Sequence, residues 1–464
     1  MSKSEVVVRL GERRRIQLDR KRDLVEIIGL SAVLIPVLAF LADGGFGSIS
    51  EPADLWSPLS RLSALVGTSL LIVHIGLIAR IPWIEKTLGL DKLTGYHKKL
   101  GKPILYLLVA HLIFSTISYA QITGAGFLAA FVDLNLSYSD VLLGTIGLAL
   151  MVLVVVTSIR IARKRLSYEA WYLVHLVSYV AILISIPHQL SLGTDFLAQP
   201  LLASYFTLLY WFVGLSVIWF RILQPVVFSM ITNLRVIRVA PAANRTTSIS
   251  LGGKRIESFG AEAGQFFMVR VMNAKQWWRP HPFSVSSSPS NEIRFTIGNR
   301  GDDTALMQNL KPGTRVILEG PYGVFSEQMR TRQHVTLMAA GIGVAPIRAL
   351  AESLAALPGD VTVIYRVTDR SDAALLDELE SICAQRGHVL HVLEGERSQA
   401  SGFLPAEDSA NPRPDYARLI ELSPYIVDSD VYICGPKAWS QSASAAVKKL
   451  GVPKAHLHVE EFAW

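Results

Sequence analysis

The sequence predicts a membrane α-helical bundle of six transmembrane helices, followed by an antiparallel β-barrel domain and an α/β nucleotide-binding domain. Three observations carry this reading. Half of the 464 residues are hydrophobic and the mean hydropathy is +0.35, too oily for an ordinary soluble enzyme. The excess sits in the first half, in six apolar runs, each near the roughly 20 residues that a helix needs to cross the hydrocarbon core. After Leu223 the pattern turns to short alternating stretches bounded by turn residues, and then to strand, turn and helix in succession.

The runs are Leu24 to Ala42, Leu62 to Ile81, Ile104 to Ile122, Val141 to Ile161, Trp171 to Leu192 and Leu201 to Leu223. They divide the chain into a basic N-terminal arm (1–23), a six-helix domain (24–223), a linker (224–231), a barrel domain (232–330) and an α/β domain (331–464). The first run follows a basic arm and lacks a small-residue cleavage pattern, so it is expected to stay as a span rather than be removed as a signal peptide. Residues 1 to 22 hold eight basic and three acidic side chains, a net of +5 out of the chain's +7. The segment Arg80 to Lys102 and the cluster Arg160, Arg163, Lys164 and Arg165 are also basic. The alternate loops hold Asp43, Glu51, Asp54, Asp133, Asp140 and Asp195, with Arg61 as their only basic residue. By the positive-inside rule both termini and the C-terminal half are expected in the cytoplasm, with the protein in the plasma membrane. For the arm, anionic lipid is the expected partner and nucleic acid is not.

The stretch Gly95 to Gln121 carries His97 and His111. A fourteen-residue separation in a helix places them about 21 Å apart along the axis and within about 40° of one face. Tyr168 to Leu192 repeats the device with His175 and His188. Ionisable side chains in a bilayer are costly; any one of these histidines alone reads equally well as a hydrogen-bonded core residue, but four in two pairs point to two cofactors. Imidazole is a good axial ligand for haem iron, and a bis-imidazole site has no open position, which suits electron relay. The expected orientation sends both spans outward, pairing His97 with His175 at an inner haem and His111 with His188 at an outer one. Thirteen residues leave His188 about 140° around an ideal helix from His175, and Pro187 is the available means of altering the local winding.

His74, midway along the second span, is read as a packed core residue in preference to an extra ligand or a haem-propionate neighbour. Arg61 and Arg80 bracket that span, as snorkelling anchors or as partners for haem propionates. Cys383 and Cys434 are the only cysteines, so no disulfide framework, iron–sulfur cluster or zinc site is expected, and no metal other than haem iron.

In the second half, LRVIRVA, TSISL, QFFMVRVM, IRFTIG and TRVILEG suggest the strands of a small antiparallel barrel. Among them lie Arg279 to Ser287 (RPHPFSVSS), Gly301 to Thr304 (GDDT) and Gly320 to Gly323 (GPYG). A flavin site needs an aromatic ring against the isoalloxazine, a hydroxyl near its reactive edge and backbone amides for the pyrophosphate. His281, Pro282, Phe283, Ser284, Gly301 and Thr304 are the candidates.

From His334 onward, HVTLMAA leads into Gly341-Ile342-Gly343-Val344-Ala345-Pro346 and an amphipathic helix. Glycines there let the backbone approach a pyrophosphate at a helix N-terminus, with Gly341, Gly343 and Pro346 as candidates. VTVIYRV leads into Thr368-Asp369-Arg370-Ser371, and DVYIC into Gly435-Pro436; such strand ends build the crevice of a nucleotide-binding sheet. Arg366 or Arg370 either binds a 2′-phosphate, favouring NADPH over NADH, or is a solvated surface arginine. The sequence closes with Glu460-Glu461-Phe462-Ala463-Trp464, an aromatic end suited to covering a flavin ring until nicotinamide displaces it.

On these residues the chain resembles the NADPH oxidase and ferric reductase superfamily over nearly its whole length. The resemblance implies that the third and fifth spans each give two ligands to two b-type haems, matching His97, His111, His175 and His188. It also implies a ferredoxin-NADP reductase module with FAD at the HPFS motif, His281 to Ser284. The nicotinamide dinucleotide, NADPH or NADH, would lie at Gly341 to Pro346. The CGP motif, Cys434 to Pro436, would sit near the nicotinamide, and Glu460 with Phe462 would match a terminal acidic-x-aromatic pattern, Trp464 competing for the stacking role. Ser284, Cys434, Glu460 and Phe462 or Trp464 are thus placed at the reacting edge. Superoxide-producing relatives tend to carry a further histidine one turn beyond the outer ligand of the third span, where this chain has Ser115; Arg61 resembles an arginine those relatives keep near the outer haem. The implied activity is electron transfer from cytoplasmic NAD(P)H through FAD and two haems to an outer acceptor: oxygen, a ferric chelate, or a partner protein or quinone.

Overall fold

The computed structural model describes residues 3–47, 49–159, 165–273, 276–299, 301–396, 402–406 and 413–461. Phe462 and Trp464 lie outside them, as do Arg160, Arg163 and Lys164 of the basic cluster. The chain divides into two compact units. One comprises Arg22–Ile84 and Leu90–Ile222; the other comprises Met1–Lys21, Glu85–Gly89 and Leu223–Trp464.

Among the described residues, six helices are long and apolar enough to cross a membrane, and their apolar runs lie in the first unit. They are α1 (Lys3–Ala42), α2 (Trp56–Ile78), α3 (Leu90–Thr123), α4 (Ser139–Ser158), α5 (Tyr168–Leu192) and α6 (Pro200–Ile218). Two differ from the sequence expectation. The basic arm is helical and continuous with the first apolar run, and α3 starts fourteen residues before its apolar run. Leu, Arg, Lys and Glu propagate a helix well in these segments, and Gly95, Gly101 and Pro103 do not interrupt it. An apolar helix, Phe127–Ser137, fills the connection between α3 and α4, where only a loop was expected.

Small residues let the helices approach closely, as between membrane helices in general. A Cβ on Gly67 of α2 would lie 3.1 Å from Leu108 of α3, and one on Gly147 of α4 would lie 2.7 Å from the Ala181 carbonyl of α5. Phe40, Leu65, Ile72, Phe206 and Val213 form a buried cluster between α1, α2 and α6.

In the second unit, the barrel consists of β1 (Arg235–Ala243), β2 (Thr246–Gly252), β3 (Phe266–Val271), β4 (His281–Ser284), β5 (Ile293–Gly298) and β6 (Val316–Tyr322). They form two antiparallel three-stranded sheets, ordered β1-β2-β5 and β4-β3-β6. Single bridges, Arg235 to Arg315 and Val285 to Phe295, join the sheet edges, so the six strands make a circuit around a core of Val236, Ile249, Phe267, Val269, Phe295 and Leu318.

The α/β part is a five-stranded parallel sheet ordered β11-β10-β7-β8-β9, with β7 His334–Ala340, β8 Val361–Val367, β9 Val389–Glu394, β10 Ser429–Gly435 and β11 Leu457–Glu461. Alternation along β7 serves both faces. Val335, Leu337 and Ala339 pack with α7 (Val344–Ser353) and α8 (Leu376–Arg386), while Met338 and Ala340 pack with α9 (Lys437–Lys449).

The expected boundary at 330/331 falls on Arg330, which is fully buried. Its guanidinium donates to the Arg332 carbonyl at 2.9 Å, the Ala355 carbonyl at 2.9 Å, the Gln333 carbonyl at 2.6 Å and Ser4 Oγ at 2.9 Å. A Cβ on Gly11 would clash with the Arg330 carbonyl at 1.7 Å. The start of the basic arm is thus packed on protein.

Candidate functional site

Helices α2, α3 and α5 bring histidines together. The ring centroids of His97 and His175 are 6.0 Å apart, with their planes at 70°. His97 Nδ1 lies 3.3 Å from the His74 carbonyl, and His111 Nδ1 lies 3.0 Å from the Ser60 carbonyl and 3.0 Å from Ser60 Oγ. A carbonyl only accepts, so a proton on Nδ1 of each α3 histidine satisfies these contacts and leaves the lone pair on Nε2. Across from them, His175 Nδ1 is buried with no hydrogen-bond partner among the described residues. His188 lies within electrostatic reach of His111 and of Asp140, and its ring packs against Gly144 of α4, where a Cβ would be 2.7 Å from Nδ1.

His74 is packed, and its packing partner is specific. Its ring stacks on His97 at 3.7 Å between centroids and 25° between planes. Trp171, one turn before His175, stacks on that histidine at 5.1 Å and 28°.

Arg61 has specific partners: its fork engages both carboxylate oxygens of Asp195, Nε at 3.0 Å from Oδ2, and its guanidinium lies 5.0 Å from the Phe40 ring centre. Two-point pairing and partial burial fix it there. Arg80 follows α2 in the left-handed region at φ 60°. Sequence reasoning missed Arg221, on a π-helical turn (Trp219–Leu223) that follows α6. Its guanidinium reaches the Ile78 carbonyl at 3.4 Å and lies within electrostatic reach of His97 and His175. A lone arginine inside the sixth apolar run was the available signal.

In the second unit, β4 holds His281, Pro282, Phe283 and Ser284 beside β3, with Phe283 opposite Phe267 and Ser284 opposite Phe266. Ser284 is buried, and its Oγ has no hydrogen-bond partner among the described residues. Arg279, quoted in the motif but not assigned a role, ties this strand to the Gly301 turn: its Nη1 lies 3.0 and 2.9 Å from the two Asp303 oxygens. His281 Nε2 is 3.7 Å from Asp303; burial pushes the imidazole below its ordinary pKa, and Asp303 opposes that shift. Thr304 Oγ1 donates to the Gly301 carbonyl at 2.9 Å.

At the strand ends of the parallel sheet, two glycines serve different needs. Gly341 takes φ +53°, with nothing within 4 Å of a Cβ. A Cβ on Gly343 would lie 2.2 Å from the Cys434 carbonyl and 2.8 Å from Gly435 Cα. Gly343 therefore lets the turn after β7 seat on the end of β10, a close approach of backbone to backbone. Pro346 is buried in α7. Cys434 is fully buried, with Ala339 and Glu460 as its register partners on the neighbouring strands. Burial, and then the charge of Glu460, push its thiol well above the ordinary range.

Arg366 Nη2 donates to the Gly395 carbonyl at 2.8 Å, and Arg370 Nη2 pairs with Glu380 at 2.6 Å at the surface. A cleft of about 510 Å³, unforeseen from sequence, opens between β1, β2 and residues 370–378, with Arg238, Arg294 and Arg370 on its wall.

A family model described as the ferric reductase like transmembrane component matches residues 63–186, a range that includes His97, His111 and His175 and ends two residues before His188. A model described as an FAD-binding domain matches residues 231–326, covering the barrel and the HPFS strand. The chain joins a ferric reductase like transmembrane component to an FAD-binding domain. Over these two ranges it is similar to ferric reductase like membrane components and to FAD-binding domains, and six of its helices are long and apolar enough to cross a membrane.

Among curated proteins, it is 29% identical over 208 residues to the ferredoxin reductase component of 3-ketosteroid-9-alpha-monooxygenase from Mycolicibacterium smegmatis, covering 43% of this chain and 55% of that protein. It is 26% identical over 233 residues to the electron transfer component of toluate 1,2-dioxygenase from Pseudomonas putida, covering 48% and 66%. It is 24% identical over 208 residues to a plasma membrane-associated coenzyme Q6 reductase of Saccharomyces cerevisiae, covering 42% and 64%. The chain thus spans between about half and two thirds of the length of each of these relatives. A solved FAD/NAD-binding domain of nitric oxide dioxygenase from Vibrio cholerae aligns with 49% of this chain and 98% of that one, at 22% identity and a TM-score of 0.38.

Proposed function

We propose that the ferric reductase like protein carries electrons from cytoplasmic NAD(P)H, by way of FAD and two b-type haems, to an acceptor at the outer face of the plasma membrane. When bound, FAD converts the hydride chemistry of nicotinamide into single electrons, and haem iron carries them one at a time.

The observation that supports this most is the geometry of His97 and His175. An imidazole nitrogen sits about 2 Å from a bound metal, so two rings on opposite sides of one ion have centroids roughly 6 Å apart. The measured separation is 6.0 Å. With Nδ1 of His97 and His111 protonated toward backbone carbonyls of α2, Nε2 is left as the donor atom. His111 and His188 form the proposed outer pair, and Arg61, Arg80 and Arg221 are the cations proposed for the cofactor carboxylates. Arg61 serves that purpose only by sharing its fork with Asp195.

In the second unit, Phe283 and the free Ser284 hydroxyl are proposed to lie along the isoalloxazine, with His281, Pro282 and the Gly301 to Thr304 turn completing the cradle. Cys434 to Pro436 and Glu460 border the nicotinamide, and Gly341, Gly343 and Pro346 shape the dinucleotide crevice. Phe462 or Trp464 covers the ring. The reading of Arg366 and Arg370 as 2′-phosphate contacts requires each to exchange its present protein partner for the phosphate.

Oxygen is the proposed acceptor, giving superoxide or peroxide. The similarity to a membrane coenzyme Q6 reductase supports the other reading, transfer to a quinone or partner protein; a ferric chelate is the third acceptor. The test is a dithionite-reduced minus oxidised difference spectrum of purified protein with a haem-to-protein ratio, followed by NADPH turnover with each acceptor. Two haems per chain are expected, and NADPH loss matched by superoxide. A folded preparation without Soret absorbance overturns the scheme; silence until ferric chelate or quinone is added reassigns the acceptor.

A further inference from the structure

We infer that His74 and Trp171 are positioning residues that fix the planes of the inner imidazole pair; the inference rests on the reading of His97 and His175 as ligands of one haem. Four rings stand in order across the core between α2, α3 and α5. His74 lies on the face of His97 at 3.7 Å, His97 and His175 are 6.0 Å apart, and Trp171 lies on the face of His175 at 5.1 Å.

An imidazole ligating through Nε2 still rotates about the metal–nitrogen axis unless something holds its face. A hydrogen bond at Nδ1 sets the tautomer and aims the ring toward its acceptor, but a single off-axis contact leaves the ring free to rock about it. A ring stacked on the face resists that motion directly.

His74 supplies both restraints to His97. Its carbonyl, 3.3 Å from Nδ1, sets the tautomer and the coarse direction of the ring, and its own ring, 25° from parallel, holds the His97 plane against rocking. His175 has no hydrogen-bond partner at Nδ1 among the described residues, so Trp171 is its restraint; the indole is itself anchored by Nε1 donating to Ser158 Oγ at 3.2 Å. The two planes are held at 70°, nearly crossed. The plane angle between axial imidazoles changes the splitting of the iron d orbitals, and so the EPR anisotropy and the reduction potential of a low-spin ferric haem. His74 Nδ1 is buried and has no partner among the described residues, consistent with a ring used for its face.

Substitution separates the two restraints, because every variant at position 74 keeps the carbonyl. In full-length protein carrying its haems, H74A is expected to retain two haems per chain, to shift the EPR signal and midpoint potential of one, and to leave the other unmoved. H74F, which restores an aromatic face, is expected to return both readings toward wild type, and W171L is expected to shift the same haem as H74A. Unchanged spectra in H74A overturn the proposal, as does H74F displaced as far as H74A. Loss of a haem in H74A overturns it too, by making His74 a ligand. A wild-type protein with no haem signal overturns this inference together with the function it rests on, whereas the preceding outcomes overturn this inference alone.

Discussion

Gly144 of α4 faces the ring of His188 on α5 so closely that a Cβ would stand 2.7 Å from Nδ1 and 3.0 Å from Cε1. The glycine provides the space in which that imidazole sits. Replacing it with valine forces the ring out of its place, because Gly147, one turn on, already holds the two helices in close contact at Ala181 and Ser185. If His188 is the outer ligand, G144V is expected to lower the haem content from two per chain to one and to stop reduction of an external acceptor. Reduction of the flavin by NADPH is expected to continue. Pyridine haemochrome quantification beside stopped-flow flavin reduction reads both.

Much of the architecture was legible because the signals are local. Apolar runs of membrane length, alternation in short strands and nearly continuous apolar runs in β7, β8 and β10 each report the environment of the segment that carries them. The one-face spacing of His97 and His111 is of the same kind. Relationships between segments were not legible. The stacking of His74 on His97 depends on the register of α2 against α3, and the space for His188 depends on a glycine more than forty residues away. The role of Gly343 depends on β10 lying next to β7 in the sheet, though nearly ninety residues separate the strands. Arg61 was read as an anchor or a cofactor contact because Asp195, its partner, lies 134 residues away in sequence.

Gly343 yields a second expectation. A Cβ there meets backbone at 2.2 Å, and backbone, unlike the tip of a flexible side chain, does not swing aside. G343A is expected to destabilise the α/β domain by ~3 kcal/mol, the upper end of the usual overpacking cost. It is expected to weaken NAD(P)H binding while leaving FAD content near wild type. Differential scanning fluorimetry and nucleotide titration of the purified protein check this; a G343A protein with wild-type melting and affinity contradicts it.

Cys434 gives a pH dependence. Its folded pKa is raised by burial and then by Glu460, so the thiol stays neutral in the folded chain at pH values where it ionises in the unfolded one. Its contribution to stability is therefore fully present below the unfolded cysteine pKa, near 8.5, and is lost as pH rises above that value. Wild type is expected to lose more stability than C434A between about pH 8 and pH 10. The folded protein is also expected to resist alkylation by iodoacetamide at about pH 8.5, where an exposed thiol would be half ionised. Rapid alkylation of Cys434 without unfolding would show that the buried position opens readily.

Arg370 tests the choice of nucleotide. Its guanidinium is about half exposed and is paired with Glu380 at 2.6 Å, and an ion pair this open to water is worth only about 0–1 kcal/mol. Such a partner is easily exchanged for a doubly charged 2′-phosphate, with which arginine makes stronger two-point bonds. R370A is therefore expected to leave thermal stability nearly unchanged and to raise KM for NADPH by about tenfold or more, with little change for NADH, since about 1.4 kcal/mol of lost phosphate binding is a factor of ten. E380A is expected to act in the opposite sense, freeing the guanidinium and lowering KM for NADPH. Equal effects of R370A on the two nucleotides would remove Arg370 from the phosphate site and leave Arg366, bonded to the Gly395 carbonyl, as the remaining candidate on that strand end.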